Sequence, residues 1–313
     1  MRLVIVSHDQ DMDGWFSAAA IVHSLCWANV LESDHVKLIG ADYPKMGQVV
    51  KEVLDALSDG PDYLYVTDFS FEPEDWFKVI QAARKKKTKI FWFDHHESAI
   101  KKAAKHVAIK NLPGSRSDKI SAALITGNEL GLGSSERKVL KLVSEFDTWN
   151  FDPHHYWTER SVIFNSWFNF CTSDFETMVK KALVVLQDGL DKTDWEELGT
   201  KVILDQRARF QAAARDASFI RYSGHTVGVV NTSEKAAGFI GVELEDSCDF
   251  VLTWKMGKNE DVVVSFRSPE GGPDVAEIAS RFGGGGHIHA SGAHMDFSKF
   301  QENFMTLSNK SKD

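Results

Sequence analysis

The chain has 313 residues, of which 43% are hydrophobic and 26% charged, and a formal net charge of −9. That length points to two domains, and the polarity is that of a soluble globular protein with a sizeable core. The acidic balance argues against a grip on long nucleic acid, which calls for a basic face, and favours a small anionic substrate or a polymer held only at its end.

The apolar run after Met1 is too short for a signal peptide, and nothing approaches the roughly 20 apolar residues of a membrane span. Cys26, Cys171 and Cys248 are widely spaced and odd in number. They make neither a disulfide framework nor a CxxC site, which fits a reducing cytoplasm.

In chain order, Leu3-Val4-Ile5-Val6 reads as a buried strand that runs into Ser7-His8-Asp9-Gln10-Asp11-Met12-Asp13-Gly14. Trp15 to Asn29 has helical spacing with a small-residue face, Val36 to Ala41 is a second strand, and Met46 to Leu57 a helix broken by Asp59-Gly60-Pro61. The strand Asp62–Thr67 runs into Asp68. Glu74 to Lys87 is a helix whose basic last turn suits the helix dipole. Lys89–Phe93 is a short apolar strand that ends in Asp94-His95-His96. Val107 to Asn111 is expected to be a fifth strand, and helices are expected at Ser121–Leu130 and Glu136–Phe146. This alternation predicts an α/β fold whose N-terminal domain is a mostly parallel five-stranded sheet with helices on both faces.

Phe146 to Phe170 is rich in aromatic residues, and Phe175–Leu190 and Thr193–Ala217 are long helical patterns. The second of these reads as a connecting helix. Beyond it come strands at Thr226–Val230, Phe250–Lys255 and Asp261–Arg267, with helices at Gly238–Leu244 and Asp274–Phe282. The expected organisation is a catalytic domain over 1–190, a connecting helix over 191–220 and a smaller α/β domain over 221–313.

Three strands that end in carboxylates or imidazoles put potential ligands at the edge where open α/β sheets bind theirs. Asp9, Asp11 and Asp13 alternate beside His8, and close carboxylates repel unless a cation or proton lies among them. Asp13 could instead cap the helix that follows it. Adding Asp68, Asp94-His95-His96 and Asp147 makes a polar loop a poor account of the whole set. Mixed carboxylate and imidazole ligands without thiolates suit Mn²⁺ or a similar divalent ion, and this many acids suit two ions, which could clamp both oxygens of a phosphoryl displacement. Gly283-Gly284-Gly285-Gly286 before His287 would let backbone N–H groups approach a phosphate, although such a run is also an ordinary turn. Arg267, at the end of a strand, could hold a phosphate or make a surface ion pair.

These motifs together resemble the DHH phosphoesterase superfamily. The resemblance is carried by Ser-His-x-x-Asp-x-Asp-Gly near the N-terminus, Asp68 after a strand, Asp94-His95-His96, and Asp147 ahead of Trp149. Ser265-Phe266-Arg267-Ser268 and Gly283-Gly284-Gly285-Gly286-His287 resemble the domain that accompanies it. The resemblance covers nearly the whole chain and is closest to the shorter members, which are nanoRNases, linear or cyclic dinucleotide phosphodiesterases and phosphoadenosine-phosphate phosphatases. It implies two Mn²⁺ ions, with Mg²⁺ or Co²⁺ as substitutes, bridged by Asp68. Asp11, with either His8 or Asp9, would complete one shell, and Asp13, His95 and Asp147 the other. His96 would contact the scissile phosphate and assist its departing oxygen. Arg267, Gly284, Gly285, Gly286 and His287 would hold the rest of the substrate.

The expected substrate is a short 5′-phosphorylated oligoribonucleotide or a linear dinucleotide such as pGpG. The alternatives are phosphoadenosine phosphate, a cyclic dinucleotide, or a nucleotide sensor without catalysis. Trp149, Tyr156 and Trp167 are candidates to stack a base, against a role as a second core. A homodimer is a further expectation.

Overall fold

The computed structural model describes residues 1–25, 35–232, 237–257 and 261–305. It divides into two compact units, Met1–Val202 and Ile203–Asp313. Among the described residues, no helix is long and apolar enough to cross a membrane.

In the first unit, β1 (Leu3–His8), β2 (Val36–Ala41), β3 (Tyr63–Thr67) and β4 (Lys89–Phe93) form a parallel sheet in the order β2-β1-β3-β4. The helices are α1 (Met12–Ser24), α2 (Met46–Ser58), α3 (Pro73–Lys86), α4 (Glu97–Ala104), α5 (Val107–Lys110), α6 (Ala122–Glu129), α7 (Ser134–Asp147), α8 (Arg160–Asn169), α9 (Phe175–Asp188) and α10 (Trp195–Arg215), the last crossing the division between the units. The central strands are apolar on both faces because both are covered. Leu3 and Ile5 of β1 join a core with α1, α6, α7, α8 and α9, while Val4 and Val6 point into another with α2 and α3. Gly14 is required where α1 leaves β1, since a Cβ there would lie 2.0 Å from the carbonyl oxygen of His8.

The N-terminal sheet therefore has four strands rather than the expected five. Val107–Asn111 was the expected fifth, but Val107–Lys110 is α5. Periodicity cannot separate strand from helix in so short an apolar run. Its place beside β4 is taken by the loop that follows. Trp92 N donates to Pro113 O (2.8 Å), Ser117 N donates to Asp94 O (3.1 Å), and Asp94 pairs with Arg116 as an isolated parallel bridge. The Arg116 guanidinium donates to Trp92 O (3.0 Å) and lies 4.9 Å from the Trp92 ring. The expected helix at Trp15–Asn29 begins earlier, at Met12, and its end falls partly outside the described residues.

The second unit is a six-stranded mixed sheet in the order β5-β6-β7-β8-β10-β9. Its strands are β5 (Ser218–Tyr222), β6 (His225–Asn231), β7 (Phe250–Met256), β8 (Asp261–Arg267), β9 (Gly285–His287) and β10 (Ala290–Asp296), with helices α11 (Ala237–Leu244), α12 (Val275–Ser280) and α13 (Phe297–Phe300). Its core gathers Val227, Phe250, Leu252, Val264, Phe266 and Phe300. The glycine run is not a free loop, because from Gly285 it is a strand paired with β10. Strand β10 escaped the sequence reading because glycine and alanine dilute its pattern. Its alternation is nonetheless present, with Ser291, Ala293 and Met295 buried in turn.

Candidate metal centre

The carboxyl ends of β1, β3 and β4 bring their polar residues together, and α7 adds Asp147, its last residue. Asp68 is central. One of its oxygens, Oδ2, lies 3.8 Å from His8 Nδ1; the other, Oδ1, lies 3.3 Å from His95 Nε2 and 3.9 Å from His96 Nδ1. His95 Nε2 also lies 3.6 Å from Asp13 and 3.4 Å from Asp147. Among the described residues of this unit, the groups that could each hold a cation include His8, Asp11 and Asp68; Asp13, His95 and Asp147; and Asp68, Asp94 and His96, the first and last sharing Asp68. Within each group the ligand atoms lie within 4.8 Å of one another.

Of the two residues that could complete the Asp11 side, the structure brings His8 into the cluster, with Nδ1 3.0 Å from Asp11 Oδ2. The side chain of Asp9 accepts instead from its neighbour Gln10. Asp13 does not cap the helix that follows it. Asp11 is the N-cap of α1, accepting from Gly14 N (3.2 Å). Asp13 accepts from Ala122 N and Ala123 N, each at 2.8 Å, and so ties α1 to the positive end of α6.

Asp68 is buried with φ of 51°, a left-handed conformation that costs about 1–2 kcal/mol for a residue with a side chain. Its loop is braced from behind. Asp68 N donates to Phe93 O (3.0 Å), the Trp92 indole donates to Phe69 O (3.1 Å), and the Trp76 indole donates to Ser70 Oγ (3.1 Å). Asp94, which the sequence reading placed in a motif without a role, orients its neighbours. Its Oδ1 accepts from His95 N (2.8 Å), His96 N (3.1 Å) and His96 Nδ1 (2.8 Å). The two indoles carried no sequence signal that distinguishes them from core aromatics.

The donor set fits a divalent cation. Asp68 Oδ1, Asp94 Oδ2 and Asp147 Oδ2 are buried oxygens with no hydrogen bond of good geometry, a costly state that a cation would relieve. Burial and the neighbouring charges shift the groups of the cluster. Burial alone would lower the His8 imidazole, but the Asp11 carboxylate outweighs it and the group is raised to about 10. His95 is likewise raised despite burial, chiefly by Asp147. Burial pushes Asp68 well above the usual carboxylate range, helped by Asp13, and holds Asp147 up at about 7 against the pull of His95. Asp94 moves the other way: burial would raise it, yet the His96 imidazole holds it low.

The remaining expected residues lie in the second unit. Arg267 of β8 pairs with Ala290 of β10, which pairs with His287 of β9, so the three form one row across the sheet. Cross-strand partners share a face, which places the guanidinium and the imidazole on the same side with a small residue between them. A Cβ on Gly284 would lie 2.0 Å from Gly292 O, and Gly286 has φ of 141°, so both are fixed by the fold. A Cβ on Gly285 meets nothing within 4 Å.

Of the three aromatic candidates, Trp167 packs against the first core, 5.6 Å from Phe164 and beneath Lys181. Trp149 has φ of 53° and clusters with Phe151 (5.1 Å) and Tyr156 (6.0 Å).

No protein-family model matches the sequence, and no curated protein does. Solved structures do share the fold. The pGpG-specific phosphodiesterase PggH from Vibrio cholerae superposes with a TM-score of 0.55 at 11% identity, covering 96% of each chain. An exopolyphosphatase-related protein from Bacteroides fragilis gives 0.57 at 15% identity, covering 98% of this chain and 91% of the other. At these identities the likeness shows the fold alone, a two-unit α/β chain.

Proposed function

We propose that the chain is a metal-dependent phosphodiesterase that hydrolyses short 5′-phosphorylated oligoribonucleotides or linear dinucleotides to mononucleotides, with two Mn²⁺ ions as its resident metals. The observation that carries this reading is Asp68, a buried carboxylate held in strained geometry between His8, His95 and His96. His8, Asp11 and Asp68 would hold one ion, and Asp13, His95 and Asp147, with Asp68 shared, the other. Bound there, the metals would supply Lewis acidity and an activated water. The fold shared with a pGpG-specific phosphodiesterase supports the choice of substrate.

The chain's own groups do the rest. Asp94 accepts the Nδ1 proton of His96 and fixes the ring, so Nε2 is the nitrogen that meets the substrate. As the water oxygen bonds to phosphorus and the ester P–O bond breaks, His96 Nε2 gives its proton to the departing oxygen. Arg267 and His287 would bind the remaining nucleotide or terminal phosphate, and Gly285 would leave backbone open to it.

The test is Mn²⁺-dependent turnover of 5′-phosphorylated dinucleotides, a five-nucleotide RNA, a cyclic dinucleotide, phosphoadenosine phosphate and inorganic tripolyphosphate. A variant with Asp94→Ala, His95→Ala and His96→Ala together serves as the blank. Cleavage of the dinucleotides well above the other compounds is expected. Faster release of phosphate from tripolyphosphate would favour the activity named for the Bacteroides neighbour instead.

A further inference from the structure

Strand β2 ends at Ala41 on the same edge of the sheet as the ligand-bearing loops, and the turn after it, Tyr43–Lys45, carries one aromatic ring. The Tyr43 ring centroid lies 6.2 Å from that of His8 and 6.1 Å from that of His96, nearly perpendicular to the latter at 81°. Behind it, at 4.9 Å, is Phe69, which is fully buried. Phe69 leads through Phe71 and Trp76 to Trp92 in steps of 5.0–5.4 Å, so the backing is part of a packed core. Pro44 stiffens the turn itself. Despite these contacts Tyr43 is 42% exposed. A lone exposed aromatic is ordinary on a protein surface. One held against two imidazoles of a candidate active site stands beside the groups that would meet a substrate.

We propose that Tyr43 is a substrate-contacting residue, a fixed aromatic wall that receives the nucleoside attached to the reacting phosphate. This rests on reading the site as a nucleotide phosphodiesterase and goes beyond it by assigning selection of the nucleoside to the β2 side. A planar base gains from stacking on such a ring. A bare phosphate chain, which needs donors and cations, gains nothing from it. The ring thereby favours nucleotide esters over inorganic polyphosphate at a metal centre that could activate either.

The test uses the full chain loaded with Mn²⁺, as wild type, Tyr43→Ala and Tyr43→Phe. Guanosine 5′-monophosphate and inorganic phosphate are titrated into each by calorimetry, and dinucleotide turnover is measured separately. Wild type should bind the nucleotide more tightly than phosphate. Tyr43→Ala should lose roughly tenfold or more in nucleotide affinity, as expected for a lost stacking contact, with phosphate and Mn²⁺ affinities unchanged. Tyr43→Phe should match wild type. Equal weakening of nucleotide and phosphate, or a loss of Mn²⁺ affinity, would show that the ring only props the imidazoles and would overturn the proposal. So would a wild type that binds the nucleotide no better than phosphate, or a Tyr43→Phe loss as large as that of Tyr43→Ala. A wild type that selects the nucleotide in this way yet cleaves no dinucleotide would leave Tyr43 as assigned and sink the phosphodiesterase reading alone.

Discussion

Replacing Asp94 by asparagine separates the charge of this residue from its shape. Asp94 is fully buried, and its Oδ1 takes two backbone N–H groups as well as His96 Nδ1. Asparagine keeps an oxygen for the two backbone donors, so the loop should hold. What is lost is the negative charge opposite His96. A hydrogen bond to a charged group contributes about 1.5–3 kcal/mol, against about 1 kcal/mol for a neutral one. The difference, about 1–2 kcal/mol, corresponds to a roughly 5–30-fold fall in kcat if the bond matters most as His96 gives up its proton. Asp94→Ala should differ, because two buried N–H groups lose their acceptor at about 1–3 kcal/mol each and the melting temperature falls with the activity. The assay is steady-state turnover with Mn²⁺ and substrate both saturating, beside a melting curve for each variant. A wild-type kcat in Asp94→Asn would refute the orienting role. A deficit confined to subsaturating Mn²⁺ and absent at saturation would show that Asp94 serves the metal and not His96.

Two further predictions concern other parts of the molecule. Gly285→Ala should fold with wild-type stability, since a Cβ there meets nothing, and should raise KM for a dinucleotide; Gly284→Ala should unfold at lower temperature, because its Cβ would lie 2.0 Å from Gly292 O. Melting curves against pH and steady-state kinetics check both, and an unchanged KM in Gly285→Ala would remove that position from the substrate contact. The second concerns pH. Asp147 is raised from 3.8 to about 7, so in metal-free protein its stabilising protonation is complete below about pH 4 and is lost as pH rises through about 7. His8 is raised from 6.5 to about 10, so its contribution is complete below about pH 6.5 and is lost as pH rises through about 10. Both slopes have the same sign between pH 6.5 and 7, where the chelated protein should become less stable as pH rises. Because a cation displaces these protons, the rise in melting temperature on adding Mn²⁺ should grow from pH 6 to 8. A rise that shrinks over that range would contradict the assigned ligands.

Several of the candidate ligands were legible in the sequence because they sit at or just after the end of a strand, and strand ends can be read from short apolar runs. Asp68 and His95 needed nothing more than that rule. The choice between His8 and Asp9 did not follow from it, because adjacent residues leave a strand in opposite directions and only the fold shows which turns inward. Asp13 carried two signals at once. Its spacing marked it as a ligand, while its bonds to Ala122 and Ala123 depend on a helix more than a hundred residues away. Tyr43 was missed because the sequence reading looked for acids and imidazoles at strand ends, and β2 ends beside an aromatic ring instead. The fifth strand was lost for a different reason. Val107–Lys110 is apolar enough for either structure, and what decided between them was the partner already lying along β4, which local pattern does not reveal.

That partner also closes an edge. A parallel sheet of four strands has two open sides, each a row of backbone groups that another chain could pair with. On the β4 side, Trp92 donates to Pro113 of the returning loop and Asp94 accepts from Ser117 of it, while Arg116 covers Trp92 from outside. The strand that delivers Asp94, His95 and His96 is therefore shielded from recruitment by a neighbouring molecule. Among the described residues the side left for such pairing is β2, which carries the exposed Lys37 near its start, a charge that discourages it. If molecules of this chain do begin to associate strand to strand, the first contact would fall on β2, on the Tyr43 side of the candidate site.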